Sequence, residues 1–419
     1  MNAMKRPQSL LEGLRLPTGV LILWVLVLSA IPITLMFTPA GWDVGVYHSA
    51  MGSLAANRDP YADAIAIQRV YHAQQFHPAG DPPYSYVYSP ITLPLLSILT
   101  HSPMWVTALG YWIIFAFGVV AEISVAGCVA EATERDFVLY LAPVSIFFPG
   151  LLANGIILGG NIVYVLYGMV LLCACVGWKR HRWLYFYLAV LIASCVKAPL
   201  LSLAVIPIFS ERKQTKAFCI TVSLGLTLFA MTPLLWPTLF KHYLEAVELQ
   251  FSFNHDLGCS PAGLLSELLI SRRIPYSAAG LMFYLAYALP ILAVLRHLSK
   301  SFFLGLLTLQ QWMPVLLVGT ILLNPRVLEY DLAAITIPLA LIARRYFANI
   351  WGTKGGTFCF AALFTIANFV ASGGWHLWKG TGGIILFTCF VAGCLDIKTT
   401  AEGKTGLTSS ELRTATLMT

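Results

Sequence analysis

The chain has 419 residues, of which 58% are hydrophobic and 11% are charged, whereas roughly 25% of residues are charged in an ordinary soluble domain. Together with a mean hydropathy of +0.76, this composition excludes a soluble protein and predicts an all-α, polytopic integral membrane protein. The net charge of +7 is concentrated in short loops, such as KRHR at 179–182 and ERKQTK at 211–216. Such loops are typical of the cytoplasmic side of a membrane, so the charge does not indicate nucleic acid as a partner.

Apolar stretches that approach the roughly 20 residues of a membrane span recur along the chain. With the N-terminus in the cytoplasm, we predict about 12 transmembrane helices and both termini inside. The predicted spans are 18–37, 104–128, 137–152, 158–177, 183–197, 199–209, 217–236, 280–298, 302–321, 331–348, 355–371 and 381–395. Residues 88–100 are also apolar, but prolines interrupt them, so we predict a re-entrant or interfacial segment there. We expect residues 1–395 to form a single domain and the polar residues 396–419 to form a disordered cytoplasmic tail.

Two predicted outer loops, 38–87 and 237–279, are much longer than the inner loops. Long loops without a domain of their own tend to be functional, so we expect the working face to point outward. The nine cysteines lie mostly in apolar runs, and they form no CxxC pair and no His/Cys metal spacing. The sequence therefore predicts neither disulfides nor a zinc site, and it favours cysteines packed as small apolar side chains.

Asp43 follows the first apolar stretch and precedes VGVYHSAMGSLAAN, in which Val44, Tyr47 and Met51 share one face at helical spacing. The carboxylate could cap a helix that lies on the membrane surface. It could also act on a lipid-carried substrate at the outer boundary of the membrane. One carboxylate can do both, and both interpretations stay open at this point.

The residues after this helix predict a turn, a second surface helix and an aromatic band. ANRDPY at 56–61 is a typical turn sequence, because Pro fixes φ and Asp favours the position before it. Asp63 is placed to cap a second surface helix that runs to about Phe76. The run YSYVYSP at 84–90 enters the next apolar stretch, and an interfacial aromatic belt is its default explanation.

Three further ionisable residues lie in or beside predicted spans. Lys197 belongs to Lys197-Ala198-Pro199, which predicts two short helices instead of one long helix over 183–209. Its ammonium either serves a site or reaches water from the outer end of a short helix. Arg326 lies in NPRVLEYD at an outer helix boundary, where an ion pair within the loop and a binding role are both open. We interpret Glu122, within 104–128, as a cap near the inner end of its helix.

Taken in order, these motifs resemble a known family. D-x-x-x-Y at 43–47, D-P-Y at 59–61 and Y-x-Y-x-P at 86–90 follow the first span. A glycine-amide pair at 160–161 opens a later helix, K-x-P at 197–199 breaks a short one, and NPRVLEYD at 324–331 starts a late one. This order resembles the polyprenyl-phosphate-dependent GT-C glycosyltransferases, in particular family 87, which includes mannosyltransferases acting on phosphatidylinositol mannosides.

The resemblance implies a role for each matching residue. Asp43 falls where the family has its catalytic base, and Gly160-Asn161 stands where Gly-Gln is usual, so the amide is kept but shortened. Asn324-Pro325 matches a Ser-Pro, but the usual His-Tyr nearby is here Tyr330-Asp331, so we expect Arg326 to supply the cation of this loop. The implied substrate-binding residues are Tyr47, Arg58, Asp59, Tyr61, Asn161, Lys197, Asn324, Arg326 and Tyr330.

The resemblance implies a GT-C-like membrane enzyme of the inner (plasma) membrane. It would transfer a hexose or pentose, with inversion, from a polyprenyl-phosphate donor to a lipid or glycan acceptor on the outer, periplasmic side. Asp43 would take the acceptor's proton, while Lys197 and Arg326 would neutralise the departing phosphate. Some GT-C enzymes use a divalent cation, but nothing in these residues specifies a cofactor. The rival interpretation is a transporter or flippase of a lipid-linked glycan, which should place ionisable residues near the bilayer midplane between inverted repeats.

Overall fold

The computed structural model describes residues 17–37, 42–62, 65–66, 69, 86–99, 103–145, 148, 160–254, 258–260, 276–372 and 375–405. These residues are almost entirely helical, and their only β-type pairing is an isolated parallel bridge between Gly258 and Val327. The prediction of an all-α membrane protein is confirmed at this level. The predicted second surface helix from Asp63 to Phe76 falls largely outside the described residues.

The structure describes fifteen α-helices. In chain order they are α1 (Thr18–Phe37), α2 (Trp42–Ala55), α3 (Leu93–Leu99), α4 (Met104–Val129), α5 (Arg135–Ser145), α6 (Ile162–Arg180), α7 (Leu184–Val196), α8 (Ile206–Ser210), α9 (Thr215–Leu235), α10 (Pro237–Asn254), α11 (Tyr276–Phe303), α12 (Leu309–Leu322), α13 (Glu329–Ala333), α14 (Thr336–Ser372) and α15 (Trp375–Thr405). Short 3-10 helices precede α3 (Pro90–Thr92), α5 (Ala132–Glu134) and α8 (Ala198–Val205).

Five described helical segments are long and apolar enough to cross a membrane. They are Ile162–Arg180, Thr215–Leu235, Met282–Phe303, Thr336–Ala371 and Thr381–Gly403. Large apolar side chains on these helices are exposed, and Leu234 and Phe369 are each 80% exposed. Exposure of so much apolar surface to water is unfavourable, which fits contact with lipid. The twelve predicted spans are thus reproduced only in part, because several predicted spans form shorter apolar helices, such as Leu184–Val196 and Leu309–Leu322.

Several predicted boundaries were wrong, for identifiable reasons. The stretch 302–321 is not one helix, because the Thr308 hydroxyl accepts the Gln311 N–H and the Gln311 side chain accepts the Thr308 N–H, and this capping box starts α12 after a turn. The stretch 331–348 is not one helix, because it begins in α13 and continues in α14 only from Thr336, whereas the predicted separation from 355–371 is present as a kink at Gly352 with φ 72°. At the other end, α15 continues through Thr405, so the tail predicted to begin at 396 begins as helix.

Of the predicted segment 88–100, the structure describes residues 88–99, and these form no helix long enough to span a membrane. The 3-10 turn Pro90–Thr92 leads into α3, which has 7 residues and so rises only about 10 Å. A membrane core of about 30 Å needs a helix three times as long. Leu95 and Ile98 on α3 are 65% and 73% exposed, which fits the predicted interfacial segment.

Helix α6 is the centre of the bundle. It packs closely on α4, since a Cβ on Gly168 would lie 2.9 Å from the Gly118 Cα. Small residues at such crossings allow membrane helices to approach closely. Glu122 of α4 lies at the same interface and is only 6% exposed. It accepts hydrogen bonds from the Ser145 and Tyr164 hydroxyls, each at 2.9 Å, so it links α4, α5 and α6 and does not cap a helix end as predicted.

The loops meet at two opposite ends of the bundle. The contacts at one end join Trp183 to Glu211, Arg212 to the Phe303 carbonyl, and Arg345 to both Glu134 and the Gln310 carbonyl. The contacts at the other end join Asp43 to Asn161, Lys197 to Asp331, Cys259 to the Val327 carbonyl, and Tyr284 to the Leu323 carbonyl. Apart from Gln310, which was predicted inside the span 302–321, the first set comes from predicted inner loops and inner helix ends, and the second set comes from predicted outer ones. All the candidate site residues that the structure pairs lie at the second end, which we call the site end.

Candidate functional site

Asp43 lies in the first turn of α2, which begins at Trp42. As the second residue of the helix, Asp43 is not the N-cap that the sequence suggested, but a carboxylate at this position is still stabilised by the positive end of the helix dipole. Its Oδ2 also accepts a hydrogen bond of 3.1 Å from Nδ2 of Asn161. The carboxylate is half-buried. Asp43 therefore has both a helix-stabilising position and a specific partner from a distant part of the chain.

Asn161 orients this carboxylate because it is fixed by its own helix. It is the N-cap of α6, and its Oδ1 accepts the Val163 N–H at 2.9 Å. An N–H group can only donate, so the oxygen of the amide must face Val163 and the NH₂ group must face Asp43. The N-termini of α2 and α6 thus converge on one carboxylate, and both favour its negative charge.

The close approach of these two helix ends depends on Gly160. Its φ is +74°, and a Cβ at this position would lie 2.4 Å from Cγ2 of Val44. Glycine alone adopts this backbone conformation without strain and leaves room for the neighbouring helix. The predicted glycine-amide pair therefore does open a helix, and each of its two residues has a separate physical role there.

Two tyrosine hydroxyls extend the site from Asp43. The Tyr47 hydroxyl accepts the Ile162 N–H at 3.3 Å and lies 2.9 Å from the Tyr88 hydroxyl. Burial raises the pKa of Tyr47 well above its usual value, and the nearby Asp43 charge contributes to the rise. Burial likewise raises the pKa of Tyr88, again with a contribution from Asp43, while the Arg326 guanidinium opposes it. Both hydroxyls therefore stay neutral hydrogen-bonding groups beside the carboxylate.

Tyr86 and Tyr88 of the aromatic run belong to a packed cluster of tyrosine rings. Tyr86 is only 3% exposed, and its ring lies 5.5 Å from that of Tyr88 and 5.6 Å from that of Tyr61. Sequence reasoning missed Tyr88 as a site residue. The period-two spacing of Tyr86 and Tyr88 was visible, but which ring meets Asp43 depends on the fold.

The D-P-Y turn supports the site without lining it. The Tyr61 N–H donates to Oδ1 of Asp59 at 2.8 Å, and the Tyr61 hydroxyl donates to the Tyr88 carbonyl at 2.8 Å. Tyr61 is completely buried, so the structure places it in the scaffold and corrects its predicted substrate contact. Asp59 pairs with His242 of α10, a partner that the sequence did not indicate. Arg58 is exposed at the turn.

A second group of residues surrounds Lys197. As predicted, α7 ends just before Lys197, which has an extended backbone and precedes a 3-10 helix with Pro199 in its first turn. The ammonium lies 3.4 and 3.5 Å from the two Asp331 oxygens. It also lies 4.3 Å from the centroid of the Tyr330 ring, a favourable position for a cation. The Lys197 side chain is 10% exposed and that of Asp331 is fully buried.

Asp331 reaches Lys197 because of its place in α13. It is the third residue of that helix, and its Oδ2 accepts the Leu328 N–H at 2.8 Å. This contact turns the carboxylate back over the start of α13, which packs against α6. The sequence suggested an ion pair within the NPRVLEYD loop, whereas Asp331 pairs with Lys197, more than a hundred residues earlier in the chain.

The NPRVLEYD loop connects the two groups. Asn324 is buried, and its Oδ1 accepts the Arg326 N–H at 3.1 Å, while its Nδ2 lies 3.5 Å from the Tyr167 hydroxyl of α6. The Arg326 charge acts on Tyr88 and also on Tyr243, where it opposes the rise in pKa that burial causes. Arg326 therefore belongs to the Asp43 side of the site. The Tyr167 hydroxyl lies beside Asp331 and so marks the Lys197 side.

The arrangement is chemically suited to reactions of anions and hydroxyl groups. It combines the oriented carboxylate of Asp43, two neutral tyrosine hydroxyls and two cations, one of which is paired with the Asp331 carboxylate, at one end of an apolar helical bundle. Among the residues that the structure describes, no group of three or more His, Cys, Asp or Glu side chains is placed to hold a metal ion. Comparisons of this chain with protein-family models, with curated proteins and with solved structures gave no match.

Proposed function

We propose that this protein is a membrane glycosyltransferase. It moves a sugar from a polyprenyl-phosphate donor to a lipid or glycan acceptor, with Asp43 as the general base. The observation that carries the proposal is the Asp43 carboxylate, which the Asn161 amide orients at 3.1 Å where two helix N-termini converge. The cationic residues Lys197 and Arg326 lie at the same end of the bundle, as a reaction that releases phosphate needs.

The proposed step uses one base and no general acid. An acceptor hydroxyl oxygen attacks the anomeric carbon, and Asp43 takes the hydroxyl proton. The bond between the anomeric carbon and the phosphate oxygen breaks, and the phosphate leaves with the bonding electron pair. Phosphate is already a good leaving group, unlike the sugar oxygen that glycosidases must protonate. Attack from the face opposite the phosphate inverts the configuration of the anomeric carbon.

The proposal extends to architecture and location. We propose about 12 membrane crossings, in which the shorter apolar helices complete the bundle beside the five long ones. The fold would then be GT-C-like, with a long first outer loop that carries α2. The basic residues at the end opposite the site support an orientation with that end in the cytoplasm. The site then faces the outer side of the inner membrane, where a polyprenyl-linked sugar can enter from the lipid.

The direct test is the Asp43→Asn variant, purified in detergent and assayed with a panel of polyprenyl-phosphate sugars by mass analysis of the product lipid. Asn keeps the size of the side chain but cannot accept the proton, so transfer should fall by about 100-fold or more. Asp136→Asn is the matched control, because Asp136 is an exposed first-turn carboxylate on α5 at the opposite end. Undiminished transfer by Asp43→Asn would remove the assigned base.

A transporter or flippase of a lipid-linked glycan is the second candidate, and one observation favours it. Glu122 is an ionisable residue buried within α4, and such residues often mark transport or proton pathways. Its two hydroxyl donors equally allow a purely structural role. Movement of a fluorescent lipid-linked glycan across vesicles containing the protein, without consumption of any polyprenyl sugar, would favour the transporter.

A further inference from the structure

We propose that Asp331 is a resident counter-ion of Lys197 that lowers the affinity of the site for phosphate, so that the polyprenyl-phosphate product can dissociate. This inference rests on the proposed function, because it deepens the role of Lys197 as the phosphate partner. Asp331 is then a positioning residue that acts through Lys197. Its carboxylate competes with the substrate's phosphate for the same ammonium.

The geometry of the Lys197–Asp331 pair indicates that a phosphate can compete with Asp331 for the ammonium. A charge-assisted N–H···O bond is normally about 2.7–2.9 Å long, whereas the Lys197 ammonium lies 3.4 and 3.5 Å from the Asp331 oxygens. The face of Tyr330, 4.3 Å away, provides a second attraction. The ammonium therefore makes no short charge-assisted bond to Asp331, and a small shift would bring it to a second anion.

Asp331 itself cannot follow such a shift. Its Oδ2 is held by the Leu328 N–H at 2.8 Å, and its side chain is fully buried. The negative charge is therefore a fixed part of the protein, while the lysine is the flexible member of the pair. A phosphate that binds Lys197 must do so in the field of a carboxylate that stays in place.

The charge of the reactant and of the product explains why such a device is useful. The donor is a phosphodiester with one negative charge, whereas the product is a phosphate monoester whose second ionisation lies near pH 6. The product therefore carries close to two charges at neutral pH, and a purely cationic site would bind it more tightly than the donor. A fixed carboxylate beside the cation repels the product more than the donor, which shifts the balance toward release.

The test is the affinity for farnesyl phosphate, a short prenyl phosphate monoester, measured calorimetrically in detergent at pH 6.5–7.5. Asp331→Asn keeps an oxygen that can accept the Leu328 N–H but removes the negative charge. The Kd of this variant for farnesyl phosphate should therefore be about tenfold or more below that of wild type. Asp331→Thr is a second neutral variant with a hydroxyl acceptor at the same place. Asp331→Glu keeps the charge and should stay near the wild-type Kd. Adding Lys197→Gln to Asp331→Asn should abolish the gain, because the effect acts through the ammonium.

Turnover separates this role from a purely structural one. If product release is slowed, Asp331→Asn should lower both KM for the donor and kcat, whereas structural damage lowers kcat without tighter binding. If wild type binds farnesyl phosphate and both neutral variants bind it equally well or more weakly, the counter-ion role is overturned and the proposed function stands. No binding by wild type or by either variant would overturn both. Tighter binding by the variants in a protein that transfers no sugar would support the counter-ion and reject the transferase.

Discussion

Replacement of Asn161 by Asp tests whether this residue orients Asp43 electrostatically. Asp caps helices as well as Asn does, so one oxygen of the new carboxylate keeps the Val163 N–H. The other oxygen then takes the place of the amide nitrogen, 3.1 Å from Oδ2 of Asp43. Two unit charges at this separation repel each other by about 5 kcal/mol at an effective dielectric constant of 20. Asp43 is half-buried, so water screens part of this repulsion. Even a quarter of the repulsion energy shifts the equilibrium between the oriented and the displaced Asp43 carboxylate about tenfold.

Asn161→Asp should therefore lose transfer activity at neutral pH, and Asn161→Ser is the matched control because Ser also caps helices without adding charge. We expect activity in the order wild type, Asn161→Ser, Asn161→Asp. Stability gives an independent readout: the folded carboxyl pair retains a proton that the unfolded chain has lost, so Asn161→Asp should lose stability relative to wild type as pH rises above about 4. Equal activity and equal pH dependence of thermal unfolding for the Ser and Asp variants would refute the assigned contact.

Three further predictions concern stability, measured by thermal unfolding in detergent. Gly160→Ala should destabilise by about 2 kcal/mol or more, because it forces an L-residue to φ +74° against Val44; Gly52→Ala, a helical glycine with open space around it, should stabilise by about 0.5–1 kcal/mol. Glu122→Ala leaves the buried Tyr164 hydroxyl without its acceptor, at about 1–3 kcal/mol, whereas the Ser145 hydroxyl keeps the Ala142 carbonyl at 2.8 Å. Glu122→Ala should therefore be less stable than Glu122→Gln, and the reverse order would contradict the hydrogen bonding. Because burial raises the pKa of Tyr88, stability should fall above about pH 10, where the unfolded tyrosine ionises, and Tyr88→Phe should make this alkaline loss shallower.

Local chemistry in the sequence anticipated the parts of the fold that depend on neighbours along the chain. The apolar run 158–177 predicted a helix here, and α6 begins within this run at Ile162, directly after the Gly160-Asn161 pair that the family resemblance singled out. Lys197-Ala198-Pro199 predicted the end of α7, because Pro disfavours helix at the residue before it. The capping box at Thr308 was equally readable, yet the continuous hydrophobicity of 302–321 concealed it.

Contacts between distant segments could not be read in the same way. Glu122 was interpreted by its distance from a helix end, although its partners lie on two other helices. Asp331 was interpreted within its own loop, although its partner is Lys197. In each case the charged group lies inside the bundle, where the packing of helices decides the partner and a pattern in one segment carries no information about it.

The length of α6 between the two halves of the site indicates which cation meets the phosphate. Asn161, at the Asp43 side, and Tyr167, at the Lys197 side, are six residues apart, which is a rise of about 9 Å. In-line transfer places a base about 3 Å from the acceptor oxygen, that oxygen about 3 Å from the anomeric carbon, and the phosphorus roughly the same distance beyond. The base and the phosphorus are then about 9 Å apart, which matches the rise of α6 between Asn161 and Tyr167. Lys197 is therefore placed to contact the phosphate.

Arg326, whose charge acts on Tyr88 near the base, is then placed to contact the sugar or the acceptor. In a background of Asp331→Asn, which avoids a buried unpaired carboxylate, Lys197→Gln should therefore abolish the tight binding of farnesyl phosphate. Arg326→Gln in the same background should leave that binding nearly unchanged and raise KM for the acceptor. If Arg326→Gln removes the binding of farnesyl phosphate and Lys197→Gln does not, the donor lies in the opposite direction along α6, and Asp43 is too close to the phosphate to act as the base.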